Sequence, residues 1–185
     1  ILTAAGTAVA FATVYASYAL YGFLAPPIAF VLLGAVALGT LAAALLHGRA
    51  LAGLGVVGAF VTPVLVSSDK PDYWALYIYI AIVTAAAFGL ARIRLWRWLA
   101  ITTIVFGAFW MLFDIARPHT LGPQAFDIIA SFALAALLVV AGFMFGPPAD
   151  QGRVEPVSSI SLGVFLFGAT ALVLINNHAD PAMIV

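Results

Sequence analysis

Cysteine is absent from the 185 residues, which excludes disulfides, cysteine-ligated clusters and cysteine nucleophiles. Charge is scarce: Asp, Glu, Lys and Arg make up 8% of the chain, against about 25% in a soluble domain. That is too little to clothe a water-facing surface. The few charges cancel, seven basic against seven acidic, with no basic run, so the composition argues against a nucleic-acid partner. No P-loop and no nucleophile elbow occurs. The three histidines, His47, His119 and His178, lie in different breaks without metal-ligand spacing, so neither a metal site nor a cofactor is expected.

What remains is apolar. Hydrophobic residues make up 65% and the mean hydropathy is +1.19, so most of the surface is expected to face lipid. A bilayer core about 30 Å thick takes about 20 helical residues. Seven stretches fit, roughly 1–21, 28–46, 51–67, 73–91, 96–113, 124–145 and 157–177. The breaks carry turn chemistry, and Pro27, Pro71, Pro123 and Pro156 stand just before or at the start of spans, where a missing N–H costs least. The apolar–polar alternation of a membrane barrel is absent. The expected fold is all-α, a polytopic transmembrane helix bundle of about seven spans forming one domain over 1–185. The chain begins in an apolar stretch without a basic leader and ends in "PAMIV", which resembles the opening of another span. It reads as a fragment of a longer chain.

Lys and Arg sort by side. Arg49, Arg92, Arg94, Arg97 and Arg153 fall in one set of breaks, Lys70 and Arg117 in the other. The positive-inside rule makes loops 47–49, 92–97 and 146–156 cytoplasmic and predicts a multi-pass protein of the bacterial inner membrane. Trp96 and Trp98 are expected at the inner interface, and Tyr73, Trp74 and Tyr77 at the outer one.

The stretch "GLGVVGAFVTPVL" holds a Gly-x-Gly-x-x-Gly at Gly53, Gly55 and Gly58. A dinucleotide fold would need a preceding strand and an acidic residue about 20 positions on. The preceding segment is instead a long Ala- and Gly-rich helix former, and the next acid is Asp69. The alternative is close helix packing. At about 100° per residue, Ala52, Gly55, Gly58, Ala59 and Thr62 share a face, with Leu54, Val57, Phe60, Val61 and Val64 on the rest. Small residues mark helix contacts in lipid. Pro63 leaves a carbonyl unbonded near Ala59, and Thr62 can help satisfy that region. Gly55, Gly58, Ala59, Thr62 and Pro63 are therefore the candidate packing and kink residues.

The middle of each expected span lacks ionisable groups, which counts against a complete coupled transporter. The chemistry-bearing candidates lie in breaks. Asp114, Arg117, His119 and Asp127 form one set, read as a helix-end ion pair beside a solvated loop. Asp69 and Asp72 flank Lys70 and Pro71. Asp69, Asp72, Asp114 and His119 are the candidates for catalysis.

Three segments, "YASYALYGFLAPPIAF", "GVVGAFVTPVLVSS" and "RIRLWRWLAI", resemble the bacterial predicted membrane proteins of the domain-of-unknown-function family DUF2339. The likeness rests on Tyr21, Gly22, Leu24, Pro26 and Pro27, then Gly58, Phe60, Thr62 and Pro63. It implies a longer multi-span protein and carries no catalytic residue or cofactor. Three readings of function stand. The chain is a transport-related or non-catalytic part of a large envelope protein, and more a non-enzyme than an enzyme. Alternatively, it is a membrane-embedded transferase acting on lipid-linked substrates at the outer face. Or it is a scaffold that packs other membrane helices through small-residue faces. The expected partners are the lipid bilayer, the rest of its own chain and other membrane helices.

Overall fold

The computed structural model describes residues 2–66, 73–115, 121–145 and 156–179, with side-chain surroundings for most of them up to residue 137 and for parts of 159–174. Among these residues there are seven helices and no strand: α1 (Leu2–Ala19), α2 (Pro26–His47), α3 (Arg49–Leu65), α4 (Tyr73–Arg94), α5 (Arg97–Ile115), α6 (Leu121–Phe145) and α7 (Pro156–Ala179). Each of the seven apolar stretches holds one helix. Helices α1, α2 and α4 are long and apolar enough to cross a membrane. Helix α3, at 17 residues, sits at the short end of the spanning range of roughly 17–25.

The helix ends follow local chemistry. Pro26 and Pro27 open α2, where proline's fixed φ suits the first turn. A single residue, Gly48, both caps α2 and starts α3. Its N–H bonds the Ala44 carbonyl at 3.0 Å and its φ is 95°, a conformation glycine adopts without a Cβ clash. Helix α4 ends in a Schellman-type turn. Trp96 N–H bonds the Ala91 carbonyl at 2.9 Å and Leu95 N–H bonds that of Arg92 at 3.4 Å, satisfying carbonyls the helix leaves open.

The chain divides into two compact units, residues 1–103 and 104–185. In the first, α2 and α3 are central. Helix α3 packs against α1, α2 and α4, and α2 against α1, α3 and α4. Helix α1 lies outermost, with no fully buried residue. Helix α2 buries Ala29, Leu33, Ala37, Leu41 and Ala44, a stripe at helical spacing. In the second unit α6 packs on α7, and Met111, Ile128, Ala135 and Phe165 form a buried cluster.

Two burial patterns depend on the neighbouring helices. Helix α3 buries more than its small-residue face: Leu51, Val56 and Phe60 are buried alongside Ala52, Gly55, Ala59 and Thr62. The cause is position, since a helix with three neighbours has little circumference left for lipid. Tyr77 is turned into the protein. It is 1% exposed, because it shares a face of α4 with Ile80, Thr84, Phe88 and Ala91, all turned toward the other helices.

The apolar surface is outward as well as inward. Val31 is 67% exposed and Phe167 69% exposed, and such side chains recur along the helices. Hydrocarbon can solvate them, so the hydrophobic effect does not drive these helices together. Close packing does. A Cβ built on Gly55 would stand 3.1 Å from the Leu41 backbone nitrogen, so Gly55 sets how near α3 comes to α2. Gly55→Leu is expected to lower stability in detergent by about 1–3 kcal/mol through overpacking, whereas Gly6→Leu, facing open space on α1, should stay within about 0.5 kcal/mol. Thermal unfolding of both variants checks this, and equal effects would refute it.

Candidate functional site

In a hydrocarbon environment hydroxyl side chains settle on their own helix. Thr13, Ser17, Thr40, Thr62, Thr102, Thr103 and Thr170 each donate to the carbonyl four residues back, at 2.7–2.9 Å. This is the low-cost way to satisfy a hydroxyl away from water. The Tyr79 hydroxyl instead joins two helices: Tyr79 Oη of α4 donates to the Ala59 carbonyl of α3 at 2.8 Å in a buried setting.

The position of that bond follows from Pro63, which lies inside α3. Having no N–H, it cannot bond the carbonyl four residues earlier, that of Ala59. The Tyr79 hydroxyl occupies the place of the missing donor. One residue away, Thr62 Oγ1 donates to the Gly58 carbonyl at 2.7 Å and lies beside the Tyr79 hydroxyl. Past the proline the helix resumes its bonding, with Val66 N–H to the Thr62 carbonyl at 3.1 Å. Both Ala59 and Thr62 are fully buried.

Helix α2 completes the arrangement. The Tyr79 ring tilts against Phe30, centroids 4.7 Å apart, and lies over Gly34, where a Cβ would meet ring carbon Cε2 at 2.7 Å. A glycine on α2, a proline gap on α3 and a tyrosine on α4 therefore meet at one point. Tyr79 was not singled out from sequence. The available signal was a tyrosine inside the apolar run "YIYIAIV" opposite a span with an internal proline.

The three glycines of the fingerprint-like stretch face three different neighbours. Gly53 faces the Trp98 indole, where a Cβ would lie 3.7 Å from ring carbon Cη2; Gly55 faces Leu41 of α2; and Gly58 faces the Phe11 ring of α1, at 2.5 Å from Cζ. Three close approaches in three directions do not make a phosphate cradle. Trp98 is half-buried, and its Nε1 is buried without a hydrogen-bond partner among the described residues. Thr84 Oγ1 in α4 is likewise buried without a partner among those residues.

Among the catalytic candidates, Asp69, Asp72 and His119 lie outside the described residues. Asp114 falls in α5, with its side chain outside them. Asp127 is a correction. It does not belong to a solvated loop: it is the seventh residue of α6 and only 4% exposed, with buried Ser131 one turn further on. Helix α6 starts at Leu121 with Pro123 in its first turn, and the expected span 124–145 already held Asp127, so its burial is what the sequence did not show. No group of three or more metal-ligating side chains occurs among the described residues.

Helices with apolar exteriors, hydroxyls bonded to their own backbone and interhelical contacts built on glycine define an α-helical membrane protein. The chain belongs to the family described as predicted membrane protein DUF2339, whose profile matches residues 1–183. No curated protein and no solved structure matches it.

Tyr79→Phe removes the donor and leaves a buried carbonyl unmet, at an expected cost of about 0.5–1.5 kcal/mol. Pro63→Ala supplies a backbone N–H for the same carbonyl. In the Pro63→Ala background the Tyr79→Phe cost should therefore shrink. A double-mutant cycle on thermal unfolding measures the coupling, and strict additivity would contradict the pairing.

Proposed function

We propose that the chain is a non-catalytic, membrane-embedded part of a larger bacterial envelope protein that docks further transmembrane helices. The carrying observation is a small-residue face on α2 left open to lipid. Ala35, Gly39 and Ala42 are exposed at helical spacing, and a Cβ on Gly39 would meet nothing within 4 Å. Inside the first unit such residues are the contact points between helices, so an open set of them suits another helix, from the same chain or a second protein. In this reading Gly55, Gly58, Ala59, Thr62 and Pro63 are packing and kink residues. They keep α3 close to its neighbours and give the docking face a rigid backing.

A photo-crosslinking side chain at Ala35, in the membranes of cells, should capture protein, and Gly39→Leu should lower the yield several-fold. Capture of lipid alone in both forms would remove the proposal. The protein is assigned to the inner membrane with loops 47–49, 92–97 and 146–156 in the cytoplasm, on the excess of Arg in those loops. The cysteine-free chain suits a labelling test. An impermeant maleimide applied to spheroplasts should modify Phe23→Cys and spare His47→Cys and Arg97→Cys; the reverse pattern would invert the topology.

A second, transport-related reading is favoured by Asp127. An ionisable side chain buried within a membrane helix often lies on an ion or proton path. Carbodiimide should then label Asp127 in membranes and fail on Asp127→Asn, and an inert wild-type carboxyl would count against transport.

A further inference from the structure

We infer that a groove between the C-terminal halves of α2 and α4 binds one anionic glycerophospholipid. The groove encloses about 300 Å³, at the lower end of the roughly 300–1,000 Å³ usual for small-molecule sites. Buried Leu41 and Leu90 form its floor, Ala42, Ala86 and Gly89 its low walls, and Ile93 its end. The lining is almost wholly apolar and half open to the outside. On α4 it runs from Ala86 to Ile93, about 10 Å at 1.5 Å per residue. A Cβ on Gly89 would meet nothing within 4 Å, so this wall is low because the residue is small. That shape and polarity fit an acyl chain lying along the helices.

The charge at one end selects the headgroup. Late residues of α2 pair with late residues of α4 in the groove, so the two helix C-termini lie together. The last turn of α4 carries Arg92 and Arg94, and α3 and α5 open on Arg49 and Arg97; no acidic residue occurs in 1–68 or 73–113. Each helix C-terminus contributes roughly half a negative charge, which four guanidinium groups outweigh. Arg49 and Arg94 are exposed, and Arg94 lies over the Trp96 ring at 5.9 Å, which holds its guanidinium near the turn. A phosphodiester placed there meets cations while its acyl chain lies along Ile93, Gly89 and Ala86. The groove adjoins the helix-docking face of α2 centred on Gly39 and shares Ala42 with it; the lipid claim rests on the arginines and on the α4 wall, which that face lacks.

The test is native mass spectrometry of the 185-residue chain, delipidated in detergent and titrated with phosphatidylglycerol or with phosphatidylcholine of the same acyl chains. The first phosphatidylglycerol should bind roughly tenfold tighter, as expected from one or two cations near the headgroup. The double variant Arg49→Gln, Arg94→Gln should lose most of that preference while still binding both lipids. Gly89→Leu fills the groove and should weaken the first binding event for both lipids, with Gly6→Leu as the unaffected control. Circular dichroism verifies that each variant is folded. Glycerol phosphate, which has the charge without the chain, should not displace the lipid. Equal binding of the two lipids, unchanged binding by Gly89→Leu, or displacement by glycerol phosphate would each overturn the inference.

Discussion

The structure depends on one constraint: hydrocarbon offers no hydrogen bonds, so every backbone donor and acceptor within it must be satisfied by the protein itself. Helices meet this requirement without help, apart from their ends and any internal proline. Seven of the hydroxyl side chains bond their own helix four residues back. Tyr79 shows the rule most clearly. Where Pro63 leaves the Ala59 carbonyl open, a tyrosine from another helix reaches in, and the repair of a local defect becomes a tie between α3 and α4.

The same solvent removes the force that builds soluble cores. Leucine is as comfortable in lipid as against another leucine, so helix contacts must come from close approach and dispersion. The glycines therefore lie where the helices touch. Gly55 lets α3 approach the backbone of α2, Gly58 receives Phe11 of α1, and Gly34 receives the Tyr79 ring. In the second unit Gly107 faces Phe165 and Gly168 faces the Met111 side chain. Each makes room for one specific neighbour. This selects among packings that lipid would otherwise leave nearly equal in energy.

Charge is distributed by the same logic. The arginines among the described residues stand at helix ends, and none stands inside α2 or α3 beyond the first residue. Arg49, Arg92, Arg94 and Arg97 group around the ends of α2 and α4, even though the net charge of the chain is zero. Asp127, inside α6, differs in being buried, at 4% exposure. A carboxyl buried there is costly unless its surroundings compensate, which separates it from the turn arginines.

Composition and periodicity determined the environment and class of this protein. With 65% hydrophobic and 8% charged residues, only lipid could solvate most of its surface, and only helices satisfy their own backbone there without a partner strand. Helix boundaries were legible because prolines and glycines act locally. Pro63 likewise announced an open carbonyl near Ala59, since proline's missing N–H is a covalent fact. Which group would answer it was not legible. Tyr79 is 20 residues from Ala59, and hydropathy is silent on how two helices rotate about their axes. Rotation also decided that Tyr77 turns inward, that Phe60 is buried, and that Leu41, Leu90 and Gly89 line one groove. In lipid an apolar side chain has little preference for protein over solvent, so only the steric fit of neighbouring helices sets which face turns where.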